Sequence, residues 1–367
     1  MTEQELSAYI QAIRPADEAA MEAARRRQAQ LAKPPGSLGQ LEEISIRLAG
    51  VTGQVCPAMG KCRVAVFAAD NGVVAEGVSC TPPAVTMQQA VNMTFRKTGM
   101  SAMAAAFGDD VSVVDVGIDG DVPPVGVLDR KVRRGTGDIA REDAMTRQQV
   151  LDAMAPGMEQ AARARADGVT ALGIGEMGIG NTTTSAAVLA ALTGADIEAV
   201  TGRGGGLTDE GFLRKKEVLR QALALHRPDG NDVIGVLAGV GGLDLAAMTG
   251  AFLGCSHERV PAAVDGFISI AAALCAVRLC PAVRDVLFLS HDSYEVGYRI
   301  AAETLGLQPC LRLGMRLGEG SGCPLLFRVL EGACGVMRGM ATFGEASIED
   351  SYLDEIRAMD AFTVEGA

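Results

Sequence analysis

The sequence predicts an α/β protein with a parallel sheet covered by helices on both faces, and a small helical domain built from both chain ends. Two observations support this prediction. Short, unbroken apolar segments rich in valine and isoleucine alternate with segments of helical pattern, which is typical of strands buried on both faces of a parallel sheet. By contrast, the first fifty residues and the stretch after about residue 324 have helical patterns without a strand.

The N-terminal segment is expected to form three helices in succession. Thr2 and Glu5 have the spacing of a capping box that opens a short helix. Residues 16–32 are rich in alanine, glutamate and arginine and are predicted to form the second helix. The paired prolines and glycines that follow must form a loop, after which Ser37 with Gln40 is expected to cap the third helix.

The central part of the chain carries the predicted sheet, and its strand segments end in Gly, Asp or Ser. The expected strands are residues 62–70, 110–117, 168–175, 259–266 and 284–292. The expected helices between them are residues 84–95, 146–166, 181–193, 267–279 and 293–304. The predicted boundaries place a large α/β domain at 56–324 and the small helical domain at 1–55 and 325–367. Ligands of such sheets bind at the carboxyl ends of the strands.

Composition and charge exclude several classes of function. The formal net charge of −12 argues against nucleic acid as a partner, because phosphate contacts need clustered lysine and arginine. Nine cysteines, an odd number with no CxxC pair, favour reduced thiols over a disulfide or zinc framework. The polar N-terminus is unlike a signal peptide, and no apolar run is long enough to span a membrane. A cytoplasmic protein is therefore expected.

The loop GIGEMGIGNTTTSAA (173–187) joins a predicted strand to a predicted helix. Its glycines let backbone N–H groups face a ligand, and the helix N-terminus favours an anion such as phosphate. The same glycines match the GxGxxG pattern of dinucleotide-binding proteins, with Glu198 near the spacing of a ribose contact. A tight structural turn is the third interpretation. The segment after the helix is short and glycine-rich, which disfavours the second strand that a dinucleotide site requires.

A second glycine loop, TGRGGGLTDEGFLRKK (201–216), also leads into a helix. Lys215 or Lys216 could reach a phosphate as a point charge. The alternative for either lysine is a solvated helix face of mixed charge.

Three further polar groups follow strand ends. Asp70 and Asn71, with Gln88 on the next helix, could line a pocket for a flat heterocycle, or they could be turn residues and an exposed glutamine. The Ser290-His291 pair lacks the context of a nucleophilic serine. His291 and Glu295 lie four residues apart but have no third ligand nearby, so a metal site is weakly supported.

The stretch MRLGEGSG (315–322) places one carboxylate, that of Glu319, between glycines. The glycines would allow a bound molecule to lie against the backbone and leave a single carboxylate to contact it. Partial burial would raise its pKa toward working pH, as a general base requires. The alternative is a turn residue or a cap of the helix that follows. The preceding CLRLG (310–314) is another possible strand end.

Seven blocks together resemble a known family, the nicotinate-nucleotide–dimethylbenzimidazole phosphoribosyltransferases. In order, they are KPPGSLGQLEE, DNGVVAEGVS, GIGEMGIGNTTTSAA, GRGGGL with its following RK, VPAAVDGFIS, LSHDS and LRLGEGSG. The resemblance covers residues from about 30 to 345. It implies a Rossmann-like sheet, a small domain from both chain ends and a homodimer. It also implies transfer of phosphoribose from nicotinate mononucleotide to 5,6-dimethylbenzimidazole, which gives α-ribazole 5′-phosphate, used in the lower ligand of cobalamin, and nicotinate.

The resemblance also implies roles for individual residues. Glu319 matches the family's catalytic base and Glu176 its second acidic residue. The expected nucleotide-binding residues are Gly175, Gly178, Gly180, Asn181, Gly202, Gly204, Lys215, Ser290, Ser293 and Gly318. The expected wall of the acceptor-base pocket is Asp70, Asn71, Cys80 and Gln88. No cofactor and no metal are expected, because the pyridinium leaving group needs no activation.

The chain departs from the family pattern at two places, Asn71 and the stretch Lys97-Thr98-Gly99. Both are expected near the acceptor-base pocket, so the acceptor could be benzimidazole, a methoxylated analogue, adenine or a phenol. Two rival functions are also considered. One is a dinucleotide-dependent oxidoreductase that uses the GxGxxG loop, and the other is a non-catalytic sensor of a nucleotide or benzimidazole.

Overall fold

A computed structural model describes residues 1–123 and 125–358 of the chain. Its centre is a six-stranded sheet in which every pair of neighbours is parallel, in the order β3-β2-β1-β4-β5-β6. The strands are β1 Cys62–Ala69, β2 Asp110–Gly117, β3 Val127–Asp129, β4 Ala171–Met177, β5 Ala262–Val264 and β6 Leu287–Leu289. The all-parallel sheet confirms the predicted α/β fold class. The strand order reverses between β1 and β4, which is where open sheets of this kind bind ligands.

Helices cover both faces of the sheet. They are α1 Glu3–Ala12, α2 Glu18–Gln30, α3 Gln40–Thr52, α4 Val85–Thr94, α5 Gly99–Phe107, α6 Arg147–Ala166, α7 Asn181–Thr193, α8 Ile197–Val200, α9 Asp209–His226, α10 Val233–Val240, α11 Leu243–Glu258, α12 Phe267–Leu279, α13 Gly297–Leu305, α14 Cys323–Gly339 and α15 Asp354–Ala358. Short 3-10 turns span Gly72–Glu76, Pro281–Val286 and Ser351–Leu353. In this part of the chain, no helix is both long and apolar enough to cross a bilayer.

Most of the predicted elements are confirmed, but some details differ, and helices α10 and α11 were not predicted. Thr2 forms the expected capping box with Glu5. The predicted cap at Ser37 is wrong, because Gly39 precedes α3 and no side chain caps it. Strand β3 was not expected, since it is only three residues long. Residues 310–314 contain only an isolated bridge between Leu311 and His291 rather than a strand.

The two chain ends contact each other. A hydrophobic cluster separate from the main core joins α2, α3 and α14 through Ala20, Ala24, Leu31, Ile46, Ala49 and Met337. A bridge between Leu31 and Thr342 extends this contact. The division into domains at 1–55 and 325–367 stays a prediction, and its residues 359–367 lie outside the described part of the chain.

The closest helix packing in the core depends on glycine. A methyl group added at Gly157 of α6 would lie 1.9 Å from the carbonyl oxygen of Ala247, and one at Gly250 of α11 would lie 2.0 Å from that of Met154. The two backbones therefore meet where a side chain cannot fit. A core with no tryptophan and 4% aromatic residues is suited to this packing of small side chains.

Gly157→Ala is expected to destabilise the protein by about 1–3 kcal/mol, because overpacking forces the two helices apart. Gly335→Ala in α14 is the matched control, since nothing lies within 4 Å of the added methyl. The control should stabilise the helix by about 0.5–1 kcal/mol. Urea denaturation of both variants measures the difference, and equal unfolding midpoints would contradict the packing argument.

Candidate active site

A cavity of about 280 Å³ opens at the carboxyl end of the sheet, near the reversal between β1 and β4. The loops after β4, β5 and β6 line it, together with residues 78–81, α4 and the 316–319 stretch. A second cavity, of about 300 Å³, lies among α2, α3 and the edge strand β6. The first cavity is the candidate active site, because the strand ends and the glycine loops meet there.

A buried cluster of two carboxyl groups and one amide lies at this site, and Glu176 and Asn181 of this cluster line the cavity. Glu176 lies at the end of β4, Asn181 opens α7, and Asp244 lies in the first turn of α11. The Asn181 amide nitrogen donates to Glu176 Oε2 and, at 3.0 Å, to Asp244 Oδ2. Burial, with the nearby Asp244 charge, raises the pKa of Glu176 to about 8. Burial raises the pKa of Asp244 to about 6. Glu176 is therefore mostly protonated at neutral pH.

Titration of Glu176 is expected to make the stability of the protein depend on pH. Its folded pKa of about 8 exceeds the ordinary 4.5, so the folded protein retains a proton that the unfolded chain releases. The free energy of unfolding should fall as pH rises from about 5 to about 8, by up to about 1.4 kcal/mol per pH unit. Glu176→Gln should remove this slope, as measured by urea denaturation at several pH values.

The control for this prediction is Glu303→Gln on α13, whose carboxylate is exposed and pairs with Arg299. It should keep the wild-type slope. Asp244, with its pKa of about 6, contributes a slope that ends near pH 6 and persists in both variants. A Glu176→Gln protein with the wild-type slope between pH 6 and 8 would show that the group is not protonated in the folded state.

Glu319 occupies a turn with left-handed backbone (φ 63°), and it is buried. Its main-chain N–H donates to Glu176 Oε1 at 3.2 Å. Its own carboxylate oxygen Oε2 has no hydrogen-bond partner. Burial raises the pKa of Glu319, while Thr98 and the Met100 N–H, at the start of α5, lower it. No side chain caps α14, so the helix-cap interpretation of Glu319 is wrong.

Asp265, at the end of β5, fixes the loop that carries Glu319. Its two carboxylate oxygens accept from the N–H groups of Gly320 at 3.1 Å and Gly322 at 2.6 Å. Glycine is required in this loop: a methyl group at Gly322 would lie 2.4 Å from both Ser290 Oγ and His291 Nδ1. The Glu319 turn is therefore held by main-chain contacts to Asp265 and Glu176.

The second glycine loop surrounds a buried lysine. The Lys215 ammonium donates to Thr182 Oγ1 at 2.8 Å and to the Gly202 carbonyl at 3.1 Å. Burial lowers its pKa to about 8. A methyl group at Gly204 would lie 2.9 Å from Thr182 Oγ1, so this loop packs tightly over α7. The arrangement places a cation and an α7 hydroxyl beside the cavity.

The predicted site residues divide into two groups. Those that line the cavity are Glu319, Glu176, Gly178, Gly180, Asn181, Gly204, Ser293, Gly318 and Cys80. Those that do not are Gly175, Gly202, Lys215, Ser290, Asp70, Asn71 and Gln88. Lys215, Gly202 and Ser290 lie directly behind lining residues. Gly175 packs under Gly320, where a methyl group would approach within 2.7 Å.

Three of the four expected base-pocket residues do not line this cavity. Gln88 is exposed, and its neighbour Gln89 lines the cavity instead. Asp70 accepts from the Asp119 N–H at 2.8 Å. Asn71 donates to the Ile179 carbonyl at 3.3 Å, behind the 178–181 loop. Strand-end position alone therefore did not predict which residues line the cavity.

Sequence reasoning missed several residues of the site. Asp265 ends a predicted strand segment, and that position was the available signal. Asp244 and Thr98 had no such signal. Asp244 lies in a helix that was not predicted. Thr98 lies in the stretch Lys97-Thr98-Gly99, which was considered only as a departure from the family pattern. Thr98, Gly99 and Leu317 lie together, since a methyl group at Gly99 would come within 2.6 Å of Leu317.

Comparison with known proteins assigns the family. A family model described as a phosphoribosyltransferase matches residues 13–348. A nicotinate-nucleotide–dimethylbenzimidazole phosphoribosyltransferase from Clostridium perfringens is 45% identical over 341 residues, covering 93% of this chain and 94% of that protein. One from Geobacter metallireducens is 45% identical over 347 residues, covering 94% and 98%. The chain belongs to this phosphoribosyltransferase family. CobT from Thermus thermophilus has a similar structure, with a TM-score of 0.88 and 44% identity, covering 91% of this chain and 100% of that one.

The structure of this phosphoribosyltransferase does not support the alternative that the GxGxxG loop binds a dinucleotide. Gly173 and Gly175 lie inside β4 rather than in a turn. A methyl group at Gly173 would lie 2.5 Å from Cys323 Cβ, so this glycine serves helix packing. Glu198 is exposed and forms ion pairs with Lys216 and Arg220. It is therefore not a free ribose ligand at a strand end.

Proposed function

We propose that this phosphoribosyltransferase moves the phosphoribosyl group of nicotinate mononucleotide to 5,6-dimethylbenzimidazole or a related base. The products are α-ribazole 5′-phosphate and nicotinate, for assembly of the lower ligand of cobalamin. The single observation that carries the proposal is the carboxylate of Glu319, which faces the cavity with Oε2 unpartnered. It supplies a proton acceptor at the place where the family's acceptor base would be bound.

The reaction breaks one bond and forms one at C1′ of the ribose. The bond to the pyridinium nitrogen breaks, and its electron pair neutralises the positive charge as nicotinate leaves. A ring nitrogen of the benzimidazole attacks the opposite face, which inverts the β configuration to α. The second ring N–H becomes acidic as this bond forms, and Glu319 accepts its proton. Holding both substrates in line contributes much of the acceleration.

Glu176 and Lys215 have supporting roles in this proposal. Glu176, protonated at neutral pH, does not compete for the proton and holds the main chain of Glu319 through the contact at 3.2 Å. Lys215, Thr182 and the glycines at 202–206 lie where the nucleotide phosphate would be held, beside the N-terminus of α7. The acceptor base would rest against Cys80, Gln89 and Leu317, which line another part of the cavity.

The direct test mixes the protein with nicotinate mononucleotide and dimethylbenzimidazole and separates the products by chromatography. Formation of equal amounts of nicotinate and an α-riboside phosphate supports the proposal. Absence of both products at high enzyme concentration contradicts it. Competition among dimethylbenzimidazole, a methoxylated benzimidazole, adenine and a phenol in one reaction identifies the preferred acceptor.

The assembly and compartment are part of the same proposal. A homodimer is implied by the resemblance to the family, and sedimentation equilibrium measures it. A cytoplasmic location accords with nine cysteines that form no disulfide in the structure.

A further inference from the structure

Two carboxylate oxygens at the cavity lack any hydrogen-bond partner. Among the described residues, the buried side-chain atoms without a partner include only two that belong to residues lining this cavity, Glu319 Oε2 and Glu295 Oε2. A buried acceptor without a donor is costly, so each of these oxygens is a place where a ligand can supply one. The proposed mechanism uses Glu319 and leaves Glu295 without a role.

Glu295 lies in the loop between β6 and α13, on the nucleotide side of the cavity. Its carboxylate packs against Gly202 so closely that a methyl group there would lie 1.6 Å from Oε2. Burial raises its pKa, while Lys215, the Gly204 N–H and Arg316 lower it. The carboxylate therefore packs against the second glycine loop, and the charges of two cations favour its ionised form.

Glu295 is not simply the partner of Lys215. The Lys215 ammonium donates to Thr182 Oγ1 and the Gly202 carbonyl, and no ion pair within 4.0 Å joins it to Glu295 among the described residues. The cation balances the carboxylate charge at longer range and leaves its oxygens able to accept from a ligand. This balance also allows a carboxylate to lie near a phosphate-binding loop without repelling the phosphate.

The chemistry of the two substrates limits which donor can reach each oxygen. Benzimidazole carries one N–H, which the mechanism assigns to Glu319. Nicotinate mononucleotide at neutral pH has an ionised carboxylate, an ionised phosphate and a pyridinium nitrogen without hydrogen. Its hydroxyl groups at the ribose 2′ and 3′ positions are thus its main hydrogen-bond donors.

We propose that Glu295 recognises the ribose of the nucleotide by accepting a hydrogen bond from its 2′- or 3′-hydroxyl. This inference rests on the proposed function for the identity of the nucleotide. It assigns the acidic ribose contact to the loop after β6, whereas the GxGxxG interpretation placed it at Glu198. Hydrogen bonds to a charged acceptor are the stronger kind, so Glu295 determines selection of a ribonucleotide over a deoxynucleotide.

The test combines a protein substitution with a substrate substitution. Wild type, Glu295→Gln and the control Glu303→Gln are each assayed with nicotinate mononucleotide and with its 2′-deoxy and 3′-deoxy analogues. Glu295→Gln should lower kcat/KM for the ribonucleotide by roughly 10- to 150-fold. It should lower kcat/KM for one of the deoxy analogues by only a few-fold. Comparing variants on the same substrate cancels the intrinsic reactivity of each nucleotide.

The outcomes separate recognition from structure. A Glu295→Gln penalty that shrinks on either deoxy analogue supports the proposal. An equal penalty on all three nucleotides, or no penalty on the ribonucleotide, overturns it. Glu303→Gln, an exposed residue on α13, should match wild type throughout.

The same comparison made by titration calorimetry keeps the test independent of turnover. If no variant transfers phosphoribose, the proposed function fails. The calorimetric comparison then still decides the role of Glu295. The preference of wild type for the ribonucleotide over a deoxynucleotide should shrink in Glu295→Gln.

Discussion

Glu319→Gln is expected to lower kcat by roughly 10²- to 10⁴-fold, the usual contribution of a positioned general base. Glutamine keeps the size of the side chain and removes the proton acceptor. The affinity for nicotinate mononucleotide should change little, because its phosphate is proposed to be held at α7 and Lys215. Residual activity is expected, since the leaving group is good and solvent can accept the proton. Steady-state kinetics with both substrates, together with calorimetric titration of the nucleotide, measures these effects.

The pH dependence gives a second measure of the same substitution. Burial raises the pKa of Glu319, so wild-type activity should rise as the carboxyl group loses its proton. In Glu319→Gln this step should be absent, and the rate should continue to rise with pH as hydroxide replaces the base. Glu331→Gln on α14, an exposed residue that pairs with Arg328, is the control and should retain the wild-type profile.

A structural role for Glu319 predicts a different result. The residue has positive φ without being glycine, which costs of order 1–3 kcal/mol. If Glu319 served only the turn, Glu319→Gln would lower the melting temperature and keep turnover within a few-fold of wild type. That combination would refute its assignment as the general base.

Lys215→Met is expected to weaken nucleotide binding by about 2–5 kcal/mol. This is the cost of removing one partner from a buried charge pair, here the proposed pair of Lys215 with the nucleotide phosphate. This corresponds to roughly 30-fold to several-thousand-fold in Kd. Methionine retains most of the volume, so α9 should remain packed against α7. Binding of dimethylbenzimidazole should change little, because its proposed contacts, Cys80, Gln89 and Leu317, line another part of the cavity. Calorimetric titration of each ligand measures both affinities.

The lowered pKa of Lys215, about 8, adds a pH test of this prediction. The folded free enzyme loses the ammonium charge as pH rises through about 8, so wild-type affinity for the nucleotide should fall above that value. Lys215→Met should lack this loss. Lys216→Met is the matched control, because its ammonium pairs with Glu198. Equal nucleotide affinity in wild type and Lys215→Met would show that the phosphate is held without this lysine.

Local patterns determined most of the fold. The alternation of apolar segments with helical ones is a property of consecutive residues, and it predicted five of the six strands that the structure contains. The short β3 was missed because three residues carry too little periodicity to distinguish a strand from a loop. The order of the seven sequence blocks likewise determined the family, which the comparisons then showed.

The glycine loops and the resemblance also predicted that Glu319, Glu176, Asn181 and Lys215 belong to one site. The first three line the cavity, and Lys215 lies behind Thr182, which lines it. Only the tertiary structure decided which neighbour faces the cavity. Gln89 lines it and Gln88 does not, because packing of Thr86, Ala90 and Met93 in the core sets the rotation of α4. Both glutamines are equally compatible with the helical pattern.

Tertiary structure alone also brought Asp244, Asp265 and Glu295 to the site. They come from α11, the end of β5 and the loop after β6, which are distant in sequence from β4. The protonation of Glu176 and the unpartnered oxygen of Glu295 follow from burial and from neighbours on these elements. Sequence periodicity reports the environment of a residue relative to its own helix or strand. The pKa of a carboxyl group depends instead on charges and solvent exclusion that several elements create together.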